Sequence, residues 1–235
     1  MNGNELNQTR HPAPYPPQIV GVIRRLLNQH GIPNAARGRL MDPFAGIGTI
    51  KAVGGRWRYY GCELEPEWAA QAAARGVVVH VGDARKIPWP DGFFGAICTS
   101  PAYGNRLADS YAPDMTNPKH RMRRSYRIYL GRNLSPGSGA SVYWGDKYRT
   151  IHTEVWNECV RLLMPGGLFL LNCKDHVKYR EIYRVTEWHV RTLAALGLEP
   201  LSAEAVKLKG DQNTAAMRKR GVRVVDHEWV VALRK

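Results

Sequence analysis

The chain has 235 residues, 34 Lys and Arg against 20 Asp and Glu, a formal net charge of +14 and 44% hydrophobic residues. That length suits one domain with a sizeable core, while no apolar run approaches the roughly 20 residues that span a bilayer and residues 1–6 lack the apolar core of a signal peptide. A membrane protein and an exported one are therefore set aside, a cytoplasmic one is expected, and the cation excess points to a polyanionic partner, most simply nucleic acid.

Residues 1–10 are polar. His11-Pro12-Ala13-Pro14-Tyr15-Pro16-Pro17 must run extended, because each proline pushes its predecessor out of the helical region. Ile19, Val20, Ile23, Leu26 and Leu27 then recur at helical spacing, in a helix ending near Gly31-Ile32-Pro33. Next comes Leu40-Met41-Asp42-Pro43-Phe44-Ala45-Gly46-Ile47-Gly48-Thr49, read as a buried strand ending in a tight turn that opens a short helix over Ile50–Val53. Its glycines would let backbone pass close to a ligand. It is not the dinucleotide fingerprint, whose third glycine would fall at Lys51, nor a phosphate loop, which needs Gly-Lys-Ser/Thr. The full string resembles the cofactor motif of S-adenosylmethionine-dependent methyltransferases, in the form used by DNA amino-methyltransferases. The proline run resembles the His-Pro-Ala-Pro-Phe-Pro segment that precedes this loop in that family and packs over the methionine end of the cofactor. The resemblance thus implies S-adenosyl-L-methionine, held by Asp42, Phe44, Gly46, Gly48 and Thr49, with His11, Pro12 and Tyr15 above it.

Trp57–Glu63 reads as the second strand. Glu63 stands about 20 residues past the loop, where a nucleotide-binding fold places its ribose-binding carboxylate. Glu65-Pro66-Glu67 opens an alanine-rich helix, Trp68–Ala74, closed by Gly76. Val77–Val81 is a continuous apolar run, as expected of a strand buried on both faces. It ends at Gly82-Asp83, and in the family resembled an acid here contacts the adenine amino group; Asp83 would equally suit a helix cap.

Gly95–Thr99 is the fourth strand and runs into Ser100-Pro101-Ala102-Tyr103. Amino-methyltransferases carry Ser/Asp/Asn-Pro-Pro-aromatic at this place, so the resemblance makes Ser100, Pro101 and Tyr103 catalytic. The Ser100 oxygen and the Pro101 carbonyl can each accept one N–H of an exocyclic base amine, and Tyr103 can stack on a base swung out of the helix. Ala102 departs from the pattern, since a second proline would stiffen the loop. The absence of a Pro-Cys dipeptide argues against a C5-cytosine enzyme.

Residues 104–150 break the strand–helix rhythm and interleave cations with aromatics, a pattern suited to phosphate contact and base stacking. The stretch is expected to be a target-recognition insertion within a single 1–235 domain. Arg106, Arg121, Arg123, Arg124 and Arg127 are candidate nucleic-acid contacts, as are Arg218, Lys219 and Arg220 in a second basic loop over 209–223. A helix over Tyr148–Leu163 is closed by Pro165-Gly166-Gly167; the fifth strand is Leu168–Asn172, with Lys174-Asp175-His176 after it. A helix over Val185–Leu196 ends at Gly197, and 203–208 and 228–233 form a final antiparallel pair. Cys62, Cys98, Cys159 and Cys173 each lie in or beside an apolar segment and form no Cys-x-x-Cys pair, so they read as reduced core residues, and no metal site is expected.

The resemblance covers essentially the whole chain. It implies a Rossmann-like, seven-stranded, mostly parallel sheet with helices on both faces, the class I methyltransferase fold. The implied activity is methyl transfer to an exocyclic amine of DNA, N4-cytosine slightly ahead of N6-adenine, of the kind found in restriction-modification. An RNA or tRNA guanine-N2 methyltransferase and a non-catalytic nucleic-acid-binding protein of the same fold stay open as alternatives, and +14 argues against a protein glutamine methyltransferase. The oligomeric state is open, a homodimer included.

Overall fold

The computed structural model describes residues 14–33, 38–104, 126–207, 218–219, 221 and 223–235. Helix α1 (Pro17–His30) follows the proline run, with Pro17 in the first turn and Ile19, Val20, Ile23, Leu26 and Leu27 on its buried face. Then come β1 (Arg39–Asp42), β2 (Arg58–Glu63), α2 (Pro66–Ala74), β3 (Val78–Val81) and β4 (Phe94–Thr99). The second half holds α3 (Tyr126–Leu130), α4 (Asp146–Leu162), β5 (Leu163–Cys173), β6 (His176–Lys178), β7 (Glu181–Tyr183), α5 (Val185–Ala195), β8 (Glu199–Lys207) and β9 (His227–Arg234).

Seven strands form one sheet in the order β3-β2-β1-β4-β5-β9-β8. Neighbours from β3 to β5 are parallel, and β9 runs antiparallel to both β5 and β8. One face, with Met41, Ile97 and Phe169, is covered by Trp156 and Cys159 of α4 and Leu193 of α5. The other, with Leu40, Ala96 and Leu170, is covered by α1 and by Ala72 of α2. This is the Rossmann-like sheet with helices on both faces that the sequence led us to expect. Burial on both sides explains the unbroken apolar runs of β1, β4 and β5. All four cysteines are buried and free.

Several expectations need correction. β3 is the edge strand, with Val78 40% and Val81 53% exposed, so its apolar run does not mark a strand buried on both faces. The segment after the glycine loop is a five-residue 3-10 turn, Thr49–Val53. Helix α4 begins at Asp146, and Pro165-Gly166-Gly167 lies inside β5, where the register with β4 shifts between Phe94 and Ala96. Gly167 permits that irregularity, since a Cβ there would meet Leu163 Cδ1 at 2.8 Å and the Met164 carbonyl at 2.9 Å. The β6–β7 hairpin was not anticipated at all.

Strand order reverses at β1, which pairs with β2 on one side and β4 on the other. Ligands of open α/β sheets bind beyond the carboxyl ends of the strands at such a switch point. Asp42 ends β1, Glu63 ends β2, and Ser100 follows Thr99 at the end of β4, so the fold gathers three of the motifs flagged in the sequence at one place.

Candidate functional site

The glycine loop is organised by a buried acid. Asp42 is 1% exposed; its Oδ1 accepts from the Phe44 N–H at 3.0 Å and its Oδ2 from the Tyr15 hydroxyl at 3.1 Å. Burial pushes its carboxyl up to about 6, against the pull of these donors. Tyr15 is further tied to the loop by its N–H to Thr49 Oγ1 at 3.4 Å. The turn closes through the Ala45 N–H to the Cys62 carbonyl and the Gly48 N–H to the Ala45 carbonyl. Gly48 has φ +77°, and a Cβ there would sit 2.9 Å from Ala72 Cα of α2. This glycine is fixed by conformation and by crowding at once.

Glu63 is held by both oxygens: Oε2 accepts from the Gly46 N–H at 2.7 Å and Oε1 from the Glu65 N–H at 2.9 Å. Each oxygen keeps a free lone pair, enough for the two hydroxyls of a ribose. Burial raises this carboxyl to about 7. Asp83 stands differently. Both of its oxygens are taken up by Arg85, which donates from its backbone N–H, Nε and Nη2 at 2.6 to 3.0 Å and holds the carboxyl below its ordinary value. An adenine amine would compete with Arg85 for it.

Ser100, Pro101, Ala102 and Tyr103 form another wall of the same cavity. Ser100 Oγ lies 3.0 Å from Tyr103 Oη, which donates to Glu228 Oε2 at 3.3 Å; Asn172 Nδ2 donates to the same oxygen at 3.0 Å. Tyr103 has one proton and gives it to Glu228, so the Ser100 hydroxyl donates to Tyr103. The lone pairs of Ser100 are left to accept. Ala102 is anchored from behind. Trp156 Nε1–H donates to His189 Nδ1 at 3.0 Å, which puts the His189 proton on Nε2. That proton goes to Tyr148 Oη at 2.9 Å, and Tyr148 donates to the Ala102 carbonyl. Burial holds His189 well below its ordinary pKa and Tyr148 well above, so the string stays neutral. His152 stacks on Tyr148 with ring centroids 3.9 Å apart, and its Nδ1–H donates to the Tyr148 carbonyl at 2.8 Å. Its Nε2 is buried with no partner among the described residues, and burial lowers its pKa to about 4.

His11, Pro12, Arg106, Arg121, Arg123, Arg124 and Arg220 lie outside the described residues, as does the side chain of Arg127. Where the insertion is described, it packs onto the cavity. Tyr126 is buried against Trp68, and Gly137, Ser138, Gly139 and Ala140 line the cavity. Arg132, one of the interleaved cations, is bound to Glu65 at 2.8 Å and Glu67 at 2.6 Å and is no free phosphate contact. The Ser135 backbone N–H and hydroxyl both donate to Glu65, which is 1% exposed. Arg218 pairs with Asp226 at 2.6 Å, and Lys219 is exposed.

Glu65, Glu228, Asn172, Tyr148 and His189 were not singled out from sequence. Glu228 and Asn172 carried a faint signal, as polar residues inside apolar strands. Tyr148 and His189 did not, because their partners are 46 and 41 residues away.

The lining of this cavity includes Asp42, Glu63, Glu65 and Asp83, and no Lys or Arg among the described residues. Arg85 and Arg132 neutralise Asp83 and Glu65 from outside the lining, so Asp42 and Glu63 are the acids left to the cavity; with no lining cation among the described residues, it disfavours a diphosphate-bearing dinucleotide.

No family model matches the chain, and no curated protein matches its sequence. Solved structures do resemble it. A protein described as a sarcosine dimethylglycine methyltransferase from Galdieria sulphuraria has TM-score 0.56 and 13% identity, over 92% of this chain and 84% of that one. Geranyl diphosphate C-methyltransferase from Streptomyces coelicolor, with Mg2+, geranyl-S-thiolodiphosphate and S-adenosyl-L-homocysteine, has TM-score 0.55 and 13% identity over 91% and 75%. The [4+2]-cyclase SpnF has TM-score 0.54 and 15% identity over 97% and 85%. Methyltransferases and a cyclase thus share this topology, so the likeness is one of fold, and activity has to be argued from the site. The chain has the Rossmann-like seven-stranded fold of these methyltransferases.

Proposed function

We propose that the protein is an S-adenosylmethionine-dependent methyltransferase acting on an exocyclic amine of a base in DNA, cytosine N4 slightly ahead of adenine N6. The observation that carries this reading is the acidic cavity at the switch point with Ser100, oriented as a hydrogen-bond acceptor, in its wall. The donor set fits the cofactor: Glu63 keeps a lone pair on each oxygen for a ribose, Gly46 brings backbone without a side chain to the cavity wall, and no Lys or Arg among the described lining residues opposes a ligand bearing a sulfonium and an ammonium group. Once bound, that cofactor supplies an electrophilic methyl group.

The chain itself supplies orientation. Ser100 Oγ and the Pro101 carbonyl accept the two N–H bonds of the amine and fix the plane of the incoming base. The Tyr103 ring lies along the base, held by its bond to Glu228. The string from Trp156 through His189 and Tyr148 holds the backbone of the tetrad still at Ala102. The apolar flank, with Phe44, Ile47 and Val155, excludes water. The neutral hydroxyl of Ser100, in place of a carboxylate, is the basis for placing cytosine first: when a base enters, the hydroxyl can turn its one proton from Tyr103 to the cytosine ring nitrogen or carbonyl edge, which a carboxylate cannot do.

The purified protein, incubated with methyl-labelled cofactor and with DNA or RNA, followed by mass spectrometry of the nucleosides, tests the reading. N4-methylcytosine is expected. N6-methyladenine alone would refute the cytosine preference and keep the amine chemistry; label confined to RNA would refute DNA as the substrate; no transfer to either would refute the enzyme.

A further inference from the structure

The β6–β7 hairpin is joined by a two-residue turn, Tyr179-Arg180, with Lys178 opposite Glu181 in the register. Both turn residues have positive φ, +51° and +65°. Turns of this kind are usually built from Asn-Gly, because the left-handed region is strained for a residue with a large side chain. Here the sequence keeps a tyrosine and an arginine, and presents them. Tyr179 is 80% exposed, the most of any large apolar side chain among the described residues.

The surroundings are cationic and aromatic. Lys178 Nζ lies 5.1 Å from the Tyr179 ring centroid and 5.2 Å from that of Tyr143. Tyr143 adjoins Trp144, whose N–H donates to the Gly104 carbonyl at 2.9 Å, directly after the Ser100–Tyr103 tetrad. A ladder of contacts therefore runs from the candidate site to the hairpin tip. Tyr179, Arg180 and Glu181 share a groove with Gly221 and Arg223, at the end of the second basic loop. Lys178, Arg180 and Arg223 form no ion pair with a described residue, and Glu181 is the hairpin's one acid. An exposed ring, flanking cations with no ion pair among the described residues and backbone strain meet at one tip, and strain of that kind is a feature of functional sites.

We propose that this hairpin is a DNA-contacting tip: Tyr179 stacks on a base, and Lys178 and Arg180 meet the flanking phosphates. The proposal rests on the DNA reading above and adds to it a surface outside the cavity. Base stacking on an aromatic ring with cations on the backbone is the ordinary grammar of nucleic-acid binding.

The test uses the full-length protein, fluorescein-labelled duplex DNA and fluorescence anisotropy across a salt series. The double variant Tyr179→Asn, Arg180→Gly installs the turn this geometry prefers, so it should melt at or above the wild-type temperature. It should bind DNA about tenfold more weakly, with a salt slope shallower by about one phosphate contact. Tyr179→Phe should bind like wild type. Affinity for S-adenosylhomocysteine should be unchanged in both. Wild-type DNA affinity in the double variant would overturn the hairpin's role and leave the DNA reading standing. Absence of DNA binding by the wild-type protein, or binding of RNA alone, would overturn both.

Discussion

Lowering the pH from about 8 to about 6 should weaken cofactor binding roughly tenfold. Burial raises the Glu63 carboxyl from 4.5 to about 7. An acid raised in this way holds its proton in the folded protein over the interval between those values and loses it in the unfolded chain. Its effect on stability is therefore most favourable below pH 4.5 and is lost as the pH climbs through 7, about 3 kcal/mol in all. Ribose hydroxyls donate to the charged carboxylate and pull its pKa back down, so binding near pH 6 expels a proton. About one Glu63 in eleven is ionised at pH 6 and about ten in eleven at pH 8, which gives the tenfold factor. Calorimetric titration with S-adenosylhomocysteine in two buffers of different ionisation enthalpy counts the protons; nearly one per ligand is expected near pH 6. Glu63→Gln should bind more weakly and lose this dependence. An affinity flat between the two pH values, or a proton count undiminished by Glu63→Gln, would refute a ribose on Glu63.

Gly48→Ala should destabilise the fold by about 1–3 kcal/mol, seen as a lower melting temperature, because its Cβ would press on Ala72 and Val77 at a positive φ; an unchanged melt would mean that the loop and α2 can separate freely. Tyr148→Phe should cost about 1–3 kcal/mol of stability by orphaning the His189 Nε2–H and the Ala102 carbonyl, and should speed amide exchange in residues 100–104 by mass spectrometry. Ala102→Pro in the same chain should restore that protection without restoring the melting temperature; failure to do so would show that Tyr148 is not what stiffens this loop.

Where a function depends on local backbone, the sequence was readable. The turn at Gly46–Gly48, the acids ending β1 and β2, and the tetrad after β4 all follow from strand ends and glycine positions, and the sheet places them together. What could not be read depends on contacts between distant segments. Val77–Val81 looked central because an apolar run carries no mark of position in a sheet; only the pairing shows that β2 is its sole strand neighbour among the described residues. The cations of 104–150 together looked suited to phosphate contact, and for Arg132 among them cation spacing says nothing of the carboxylates, 65 and 67 residues earlier, that it meets. The β6–β7 turn was invisible because Tyr-Arg violates the residue preferences by which hairpins are recognised.

Ala102 brings both kinds of information together. In the sequence it is a defect, a missing proline in a loop that has to present carbonyl oxygens in a fixed direction. Proline would stiffen the loop from within by fixing φ. The structure supplies stiffness from outside, by tying the Ala102 carbonyl to Tyr148 and through it to His189 and Trp156 in the helical layer behind the sheet. The two devices differ in consequence. A proline acts on its own residue alone, whereas the tyrosine couples the tetrad to the packing of α4 against α5, and α4 also carries His152 and Val155 into the cavity wall. The geometry of the loop that would hold the base is thus linked to the helix that lines the cofactor cavity, and a change that loosens α4 would be felt at both.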